Sequence, residues 1–199
     1  AEESQLILPI GGWVLWEACR QNKAWQDAGY PPVVVAVNLS AVQFHGADLL
    51  SGVARVLAET GLAPRWLELE ITESVIMDDP GRVVRVLEKL KELGVGLSID
   101  DFGTGYSSLS YLKRFPIDKI KIDRSFINDI VSDPSDAAIV RMVIGMAREL
   151  EHTVIAEGVE TVDQLAFLKA HGCHAYQGFY ASRPLPPADA TACFAGWSA

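Results

Sequence analysis

Six apolar runs in this sequence end in polar residues: Asn38, Glu70, Asp100 with Asp101, Lys121, Glu157 and Gln177. Four carboxylates gathered in one place cannot all stay ionised without compensating charge. Hard divalent cations supply it. Oxygen donors with no His or Cys beside them suit Mg²⁺ or Mn²⁺, with Ca²⁺ as an alternative, rather than zinc. The adjacent pair Asp100-Asp101 could bridge two metals from one loop, the usual device for in-line displacement at phosphorus.

The stretch Asp101-Phe102-Gly103-Thr104-Gly105-Tyr106-Ser107-Ser108-Leu109 combines two glycines with several hydroxyls beside those carboxylates. It reads as a mobile loop beside the site, the alternative being an ordinary βα turn with a Ser-capped helix. Glu73 lies three residues past Glu70, where it could pin this neighbouring loop or stand as a solvated turn carboxylate.

Alternating strand and helix signals position these residues. The strands are expected at 33–37, 66–71, 95–99, 117–122, 153–156 and 174–179. The first, Val33–Val37, is a β-branched run expected to be covered on both faces. Helices are expected at 5–27, 47–59, 80–94, 107–114, 136–150, 161–170 and 187–195. In the first, Leu6, Ile7, Val14, Leu15 and Ala18 are candidates for one apolar side. Gly61 suits a helix C-terminus, Asp79-Pro80 a helix start, and Thr161 with Gln164 a capping box. Period-two alternation places Gly96, Ser98 and Asp100 on one side of the third strand. Repeated strand–helix units imply a parallel α/β sheet, either open and doubly wound or closed as a (β/α)8 TIM-type barrel. No GxGxxG or P-loop follows an early strand, and the polar residues cluster at strand ends; both favour the barrel.

Composition limits the alternatives. The 199 residues are 49% hydrophobic and 22% charged, which excludes a disordered or collagenous chain and permits one full domain. No apolar stretch reaches the ~20 residues of a membrane span. A net charge of -9 argues against binding duplex nucleic acid, but not against a small phosphorylated ligand accompanied by cations. Cys19, Cys173 and Cys193 form no CxxC and no zinc spacing, and read as small buried thiols in a reducing compartment.

Several segments together resemble the EAL domain family, bacterial phosphodiesterases for cyclic di-GMP. They are Asn38-Leu39-Ser40, Glu68 through Ser74, Asp100 through Leu109, Lys121 through Phe126, Ala156 through Thr161, and Gln177-Gly178 through Ser182-Arg183-Pro184-Leu185. The resemblance implies a barrel fold and hydrolysis of cyclic di-GMP to the linear dinucleotide. It implies a two-metal site for Mg²⁺ or Mn²⁺, with Ca²⁺ expected to inhibit. By the same resemblance Asn38, Glu70, Asp100 and Asp101 are metal ligands. Lys121 orients the attacking water, Glu157 is a general base or second-metal ligand, and Gln177 is a further active-site hydrogen-bonding residue. Glu73 anchors the Asp100–Leu109 loop, which is also expected to mediate a homodimer. Ser40, Gln43, Asp123, Gly178 and Pro184 are implied for the dinucleotide pocket.

The sequence departs from the family in one respect: it contains no Glu-Ala-Leu. Its first residues resemble the helix that follows that motif. Residues 1–199 are therefore expected to be an N-terminally incomplete EAL-type domain, short against the roughly 250 residues of a typical barrel. A fragment of that kind is expected to be poorly soluble or to pair with another chain. His174 stands where an Asp is more usual. Upstream sensory or diguanylate-cyclase domains and a cytoplasmic location are implied, in a parent that some members anchor to the membrane. The alternative function is a catalytically inactive module that binds cyclic di-GMP and signals to a partner. A barrel enzyme abstracting a proton beside a carboxylate with one Mg²⁺ is weaker, because it gives the Asp100-Asp101 pair no purpose.

Overall fold

The computed structural model describes residues 6–105, 109–173 and 175–194. In chain order the elements are α1 (Ile7–Asp27), β1 (Val35–Leu39), α2 (Ala41–Phe44), α3 (Leu49–Thr60), β2 (Leu67–Thr72), α4 (Glu73–Asp78), α5 (Pro80–Glu92) and β3 (Gly96–Phe102). There follow α6 (Leu109–Leu112), β4 (Lys119–Ile122), α7 (Arg124–Asn128), α8 (Pro134–Glu149), β5 (Thr153–Glu157), α9 (Val162–Ala170), β6 (Ala175–Gln177) and α10 (Pro187–Phe194). Every strand pairing detailed below is parallel and joins strands consecutive in the chain. The class is α/β, as the alternating pattern predicts.

The elements fall into two compact units. One holds the chain through Ile71, Arg85–Gly96 and the segment from Pro184; the other holds Thr72–Val84 and Leu97–Arg183.

In the first unit, β1 and β2 align Asn38 with Glu70. Helix α1 packs on α3 and β1. Its buried stripe is Gly11, Leu15, Cys19 and Asn22, at helical spacing. Leu6 and Val14 lie off that stripe and are exposed, so the apolar side expected from sequence is rotated. The Asn22 amide, fully buried, donates to Val33 O at 2.9 Å and Trp66 O at 3.2 Å, tying α1 to the approaches of both strands. Helix α3 ends at Gly61 in the left-handed conformation (φ 69°), which glycine adopts without a Cβ penalty. β1 also departs from expectation. It begins two residues later than the β-branched run, and Ala36 and Asn38 are exposed while Val37 and Leu39 are buried. It is half-covered, not covered on both faces.

In the second unit, β3, β4, β5 and β6 pair in that order. Their apolar residues Leu97, Ile99, Ile120, Ile122, Val154 and Ala156 are buried, as are Val140, Val143, Ile144 and Ala147 of α8. Asp118 ties the strand starts together. Its carboxylate accepts from Leu97 N at 2.8 Å, and its carbonyl accepts from Thr153 N at 3.0 Å. Helix α8 opens on Asp133 with Pro134 in its first turn, and α9 on the Thr161–Gln164 capping box.

Three one-turn helices, α2, α4 and α7, follow β1, β2 and β4 directly. Sequence periodicity cannot register elements of four to six residues, so these stretches read as loops. β6 is shorter than expected, and His174 lies outside the described residues. Of the cysteines, Cys19 and Cys173 are buried but Cys193 is exposed, against the uniform burial expected. Among the described residues, no helix is long and apolar enough to cross a membrane.

Candidate metal centre

The site begins with an irregularity in β3. Ser98 pairs with Lys119 and Ile99 with Ile120, but the next pair is Phe102 with Ile122. Asp100 and Asp101 together therefore span the step opposite Lys121, which makes a β-bulge. Asp101 takes φ 54°, a left-handed conformation that Asp tolerates better than most residues. In a regular strand two consecutive side chains face opposite ways. The bulge lets both aspartates reach one cluster, in which carboxylate oxygens of Asp100, Asp101 and Glu157 lie within 4.8 Å of one another. Three close, anionic oxygens with no His or Cys among them fit a hard divalent cation.

Lys121 sits at the centre, 3% exposed, with its Nζ 3.1 Å from Asp100 Oδ1 and 2.7 Å from Glu157 Oε1. Its position on β4, between β3 and β5, puts the ammonium between carboxylates carried by the two flanking strands. Asp101 N also donates to Asp100 Oδ1, at 3.0 Å. Both of these contacts fall on one oxygen of Asp100, leaving Oδ2 for a ligand. Partial burial, and then the neighbouring Asp100 and Asp123 carboxylates, push the Asp101 carboxyl above its ordinary value, while Lys121 opposes them. An added cation would relieve that crowding.

Glu73 opens α4 and is 2% exposed. Its Oε2 accepts from Gly103 N at 2.8 Å and Gly105 N at 3.3 Å. A Cβ on Gly105 would lie 2.9 Å from Glu73 Oε1, so a side chain there would displace the anchoring carboxylate. Gly103, at φ 101°, has the Phe126 ring 2.8 Å from where its Cβ would stand. The loop after the aspartates is thus fastened from two sides. Residues 106–108, with the rest of the loop expected to mediate a dimer, lie outside the described residues.

Gln177 pairs with Glu157 across β5 and β6 and is exposed. Gly178 follows it, packed against the Val159 backbone. Asp123 caps α7, its Oδ1 accepting from Ser125 N at 3.0 Å. The remaining expected residues belong to the other compact unit. Asn38 is exposed and Glu70 is buried, as register partners at the ends of β1 and β2. Ser40 and Gln43 are spent on each other in the capping box of α2, and Pro184 is exposed. Sequence reasoning missed the bulge. Its only sequence signal is an aspartate pair where alternation demands a single inward residue.

The sequence profile of the EAL domain matches residues 1–184. The chain belongs to the EAL domain family. It is 50% identical over 186 residues to the bifunctional diguanylate cyclase/cyclic di-GMP phosphodiesterase MucR of Pseudomonas aeruginosa, covering 94% of this chain and 27% of that protein. It is 41% identical over 186 residues to the cyclic di-GMP phosphodiesterase PdeR of Escherichia coli, covering 94% of this chain and 28% of that protein. The chain thus spans about a quarter of the length of these curated relatives. Among solved structures, the MucR phosphodiesterase in complex with c-di-GMP superposes with a TM-score of 0.93 at 49% identity, over 96% of this chain and 77% of that one. The EAL domain of DcpA from Mycobacterium smegmatis superposes at 0.90 with 39% identity, over 98% of this chain and 86% of that one. The fold is therefore that of EAL domains, a TIM-barrel-like arrangement of parallel strands and helices, as expected from sequence.

Proposed function

We propose that this EAL domain hydrolyses cyclic di-GMP to the linear dinucleotide. The observation that carries the reading is the bulged Asp100-Asp101 pair meeting Glu157 around a buried Lys121. The names of its relatives, and the ligand in the MucR structure, supply the substrate.

Asp100, Asp101 and Glu157 would hold Mg²⁺ or Mn²⁺, and the resemblance adds Asn38 and Glu70 as ligands. The chemistry supplied by bound cations there is neutralisation of the phosphate charge and acidification of water. Lys121, held by two carboxylates, orients the attacking oxygen, as the resemblance implies. Glu157 accepts the proton that this oxygen loses. The new P–O bond forms as the P–O3′ bond breaks, and the departing 3′ oxygen takes a proton from solvent, leaving a 5′-phosphate and a 3′-hydroxyl. Gln177, beside Glu157, and Asp123, Gly178, Ser40, Gln43 and Pro184 are assigned to holding the dinucleotide. Glu73 keeps the Asp101 loop in place. We assign the same loop to a homodimer contact, Ca²⁺ to inhibition, and the domain to the cytoplasmic part of a longer signalling protein.

The test is chromatographic detection of linear dinucleotide from cyclic di-GMP, using the full-length protein with Mg²⁺ or Mn²⁺. Turnover abolished by chelator and by Glu157→Gln is expected. Binding that persists in chelator without turnover in either metal would instead establish the ligand-sensing module.

A further inference from the structure

A helix of one turn does not hold its own shape, because it regains little of the cost of nucleating it. Helix α7 (Arg124–Asn128) is such an element, yet it meets the segments that follow three residues of the site. It starts on its cap Asp123, two residues past Lys121. Its Phe126 ring lies 2.8 Å from where a Cβ on Gly103 would stand, two residues past Asp101. Its Arg124 Cβ lies 2.6 Å from where a Cβ on Gly158 would stand. Gly158 directly follows Glu157 and takes φ 72°. Helix α7 is thus a bracket on which the Asp101, Lys121 and Glu157 segments are seated.

A buried amide on a different helix fixes that bracket. Gln164 of α9 is 6% exposed. Its Nε2 donates to Ile127 O at 3.0 Å and Asn128 O at 3.3 Å, two of the last carbonyls of α7. Its Oε1 accepts from Glu160 N at 2.7 Å and Thr161 N at 2.9 Å. The side chain spends two donors and two acceptors, its full capacity. A capping box accounts for the Thr161 N contact alone. The other three contacts join the segment after Glu157 to the end of α7.

We propose that Gln164 is a positioning residue for the hydrolysis. By locking α7 to the segment after β5, it holds Glu157 Oε1 2.7 Å from Lys121 Nζ and keeps the Glu157 carboxylate in one cluster with Asp101. The proposal rests on the functional reading above. Being buried, Gln164 acts through Glu157 and Lys121 rather than on the substrate. Loosening it displaces the proton acceptor from the attacking oxygen and removes no group assigned to the dinucleotide.

The experiment is steady-state hydrolysis of cyclic di-GMP by the full-length protein with Mn²⁺, with a thermal melt of each variant. Gln164→Glu keeps acceptors for Glu160 N and Thr161 N but loses both donors to α7. A misplacement of about 1 Å costs about 100-fold in rate, so kcat is expected to fall about 30- to 100-fold, with KM within about twofold. Thr161→Ala removes the Oγ that accepts from Gln164 N at 3.2 Å, which loosens the start of α9 and leaves the clamp in place. It is expected to lower the melting midpoint and keep kcat within about twofold of wild type. A purely structural role would lower the midpoint in both variants and spare kcat in both. Gly158→Ala wedges the same two segments apart at their other contact and is expected to reproduce the loss of kcat. It carries the test if Gln164→Glu does not fold. Unchanged kcat in the folded variant of these two, a rise in KM alone, or an equal fall of kcat in Thr161→Ala overturns the positioning role and leaves the phosphodiesterase reading intact. A wild type without turnover overturns both.

Discussion

Replacing Glu73 by Ala removes the acceptor that holds Gly103 N at 2.8 Å and Gly105 N at 3.3 Å. A hydrogen bond to a charged acceptor contributes about 1.5–3 kcal/mol. The shorter contact falls within that range and the longer one below it, so together they stabilise the loop by about 2–4 kcal/mol. The loop can open while the strands stay paired, so the loss is local. Amide exchange at Gly103 should then quicken by about 30- to 1000-fold in Glu73→Ala, at tenfold per 1.4 kcal/mol. Glu73→Gln retains an oxygen acceptor without the charge and should quicken it only about tenfold. Hydrogen exchange read by mass spectrometry on the peptide containing Gly103 makes the comparison. Because Asp101 lies two residues before Gly103, the Mn²⁺ needed for half-maximal turnover should rise in the same order. Unchanged Gly103 exchange in Glu73→Ala would refute the anchoring, and equal damage from Gln and Ala would show that shape rather than charge matters.

Three further outcomes follow from the described geometry. Lys121→Met leaves the Asp100 and Glu157 carboxylates without their cation, and should lower metal-free stability by about 2–4 kcal/mol in urea. Part of that loss should return on adding Mg²⁺. Burial holds the His152 imidazole below its ordinary value, against an opposing pull from Asp118. The unfolded chain therefore binds the His152 proton first as pH falls, and the stability present above about pH 6.5 declines toward the lower folded value. The urea midpoint should drop between pH 7.5 and 5.5 in wild type, and drop less in His152→Gln. Burial pushes the Cys19 thiol up to about 11 and raises Cys173 as well, while Cys193 is exposed. An aromatic disulfide reagent at pH 8 should label one thiol quickly, and Cys193→Ser should abolish that fast phase.

The order of strands and the longer helices were legible in the sequence because each spans enough residues to show a period. Helix α8 carries its own start signal in Asp133-Pro134, and α9 in Thr161 with Gln164. What escaped was governed by tertiary packing. Helix α1 is apolar on more than one side, with Leu6, Trp13, Val14 and Trp16 exposed, so composition could not choose its buried stripe; contact with α3 and β1 does. The types of the site residues were legible and their facing was not. Alternation sends Asp100 and Asp101 to opposite sides of β3, and only the bulge, a register shift between two strands, reunites them. Glu73 was open between a solvated carboxylate and an anchor until its two glycine partners, thirty or so residues away, came into contact with it.

Within each compact unit the paired strands are consecutive in the chain, joined by connections of one or two helices. No pairing there waits for a distant partner, and each ring closure spans a modest length of polypeptide. Such a layout can be zipped up in the order in which a ribosome releases it. The aspartate pair emerges before Lys121, and Lys121 before Glu157, so the bulge forms only when β4 pairs with β3, and the four charges meet only as β5 docks.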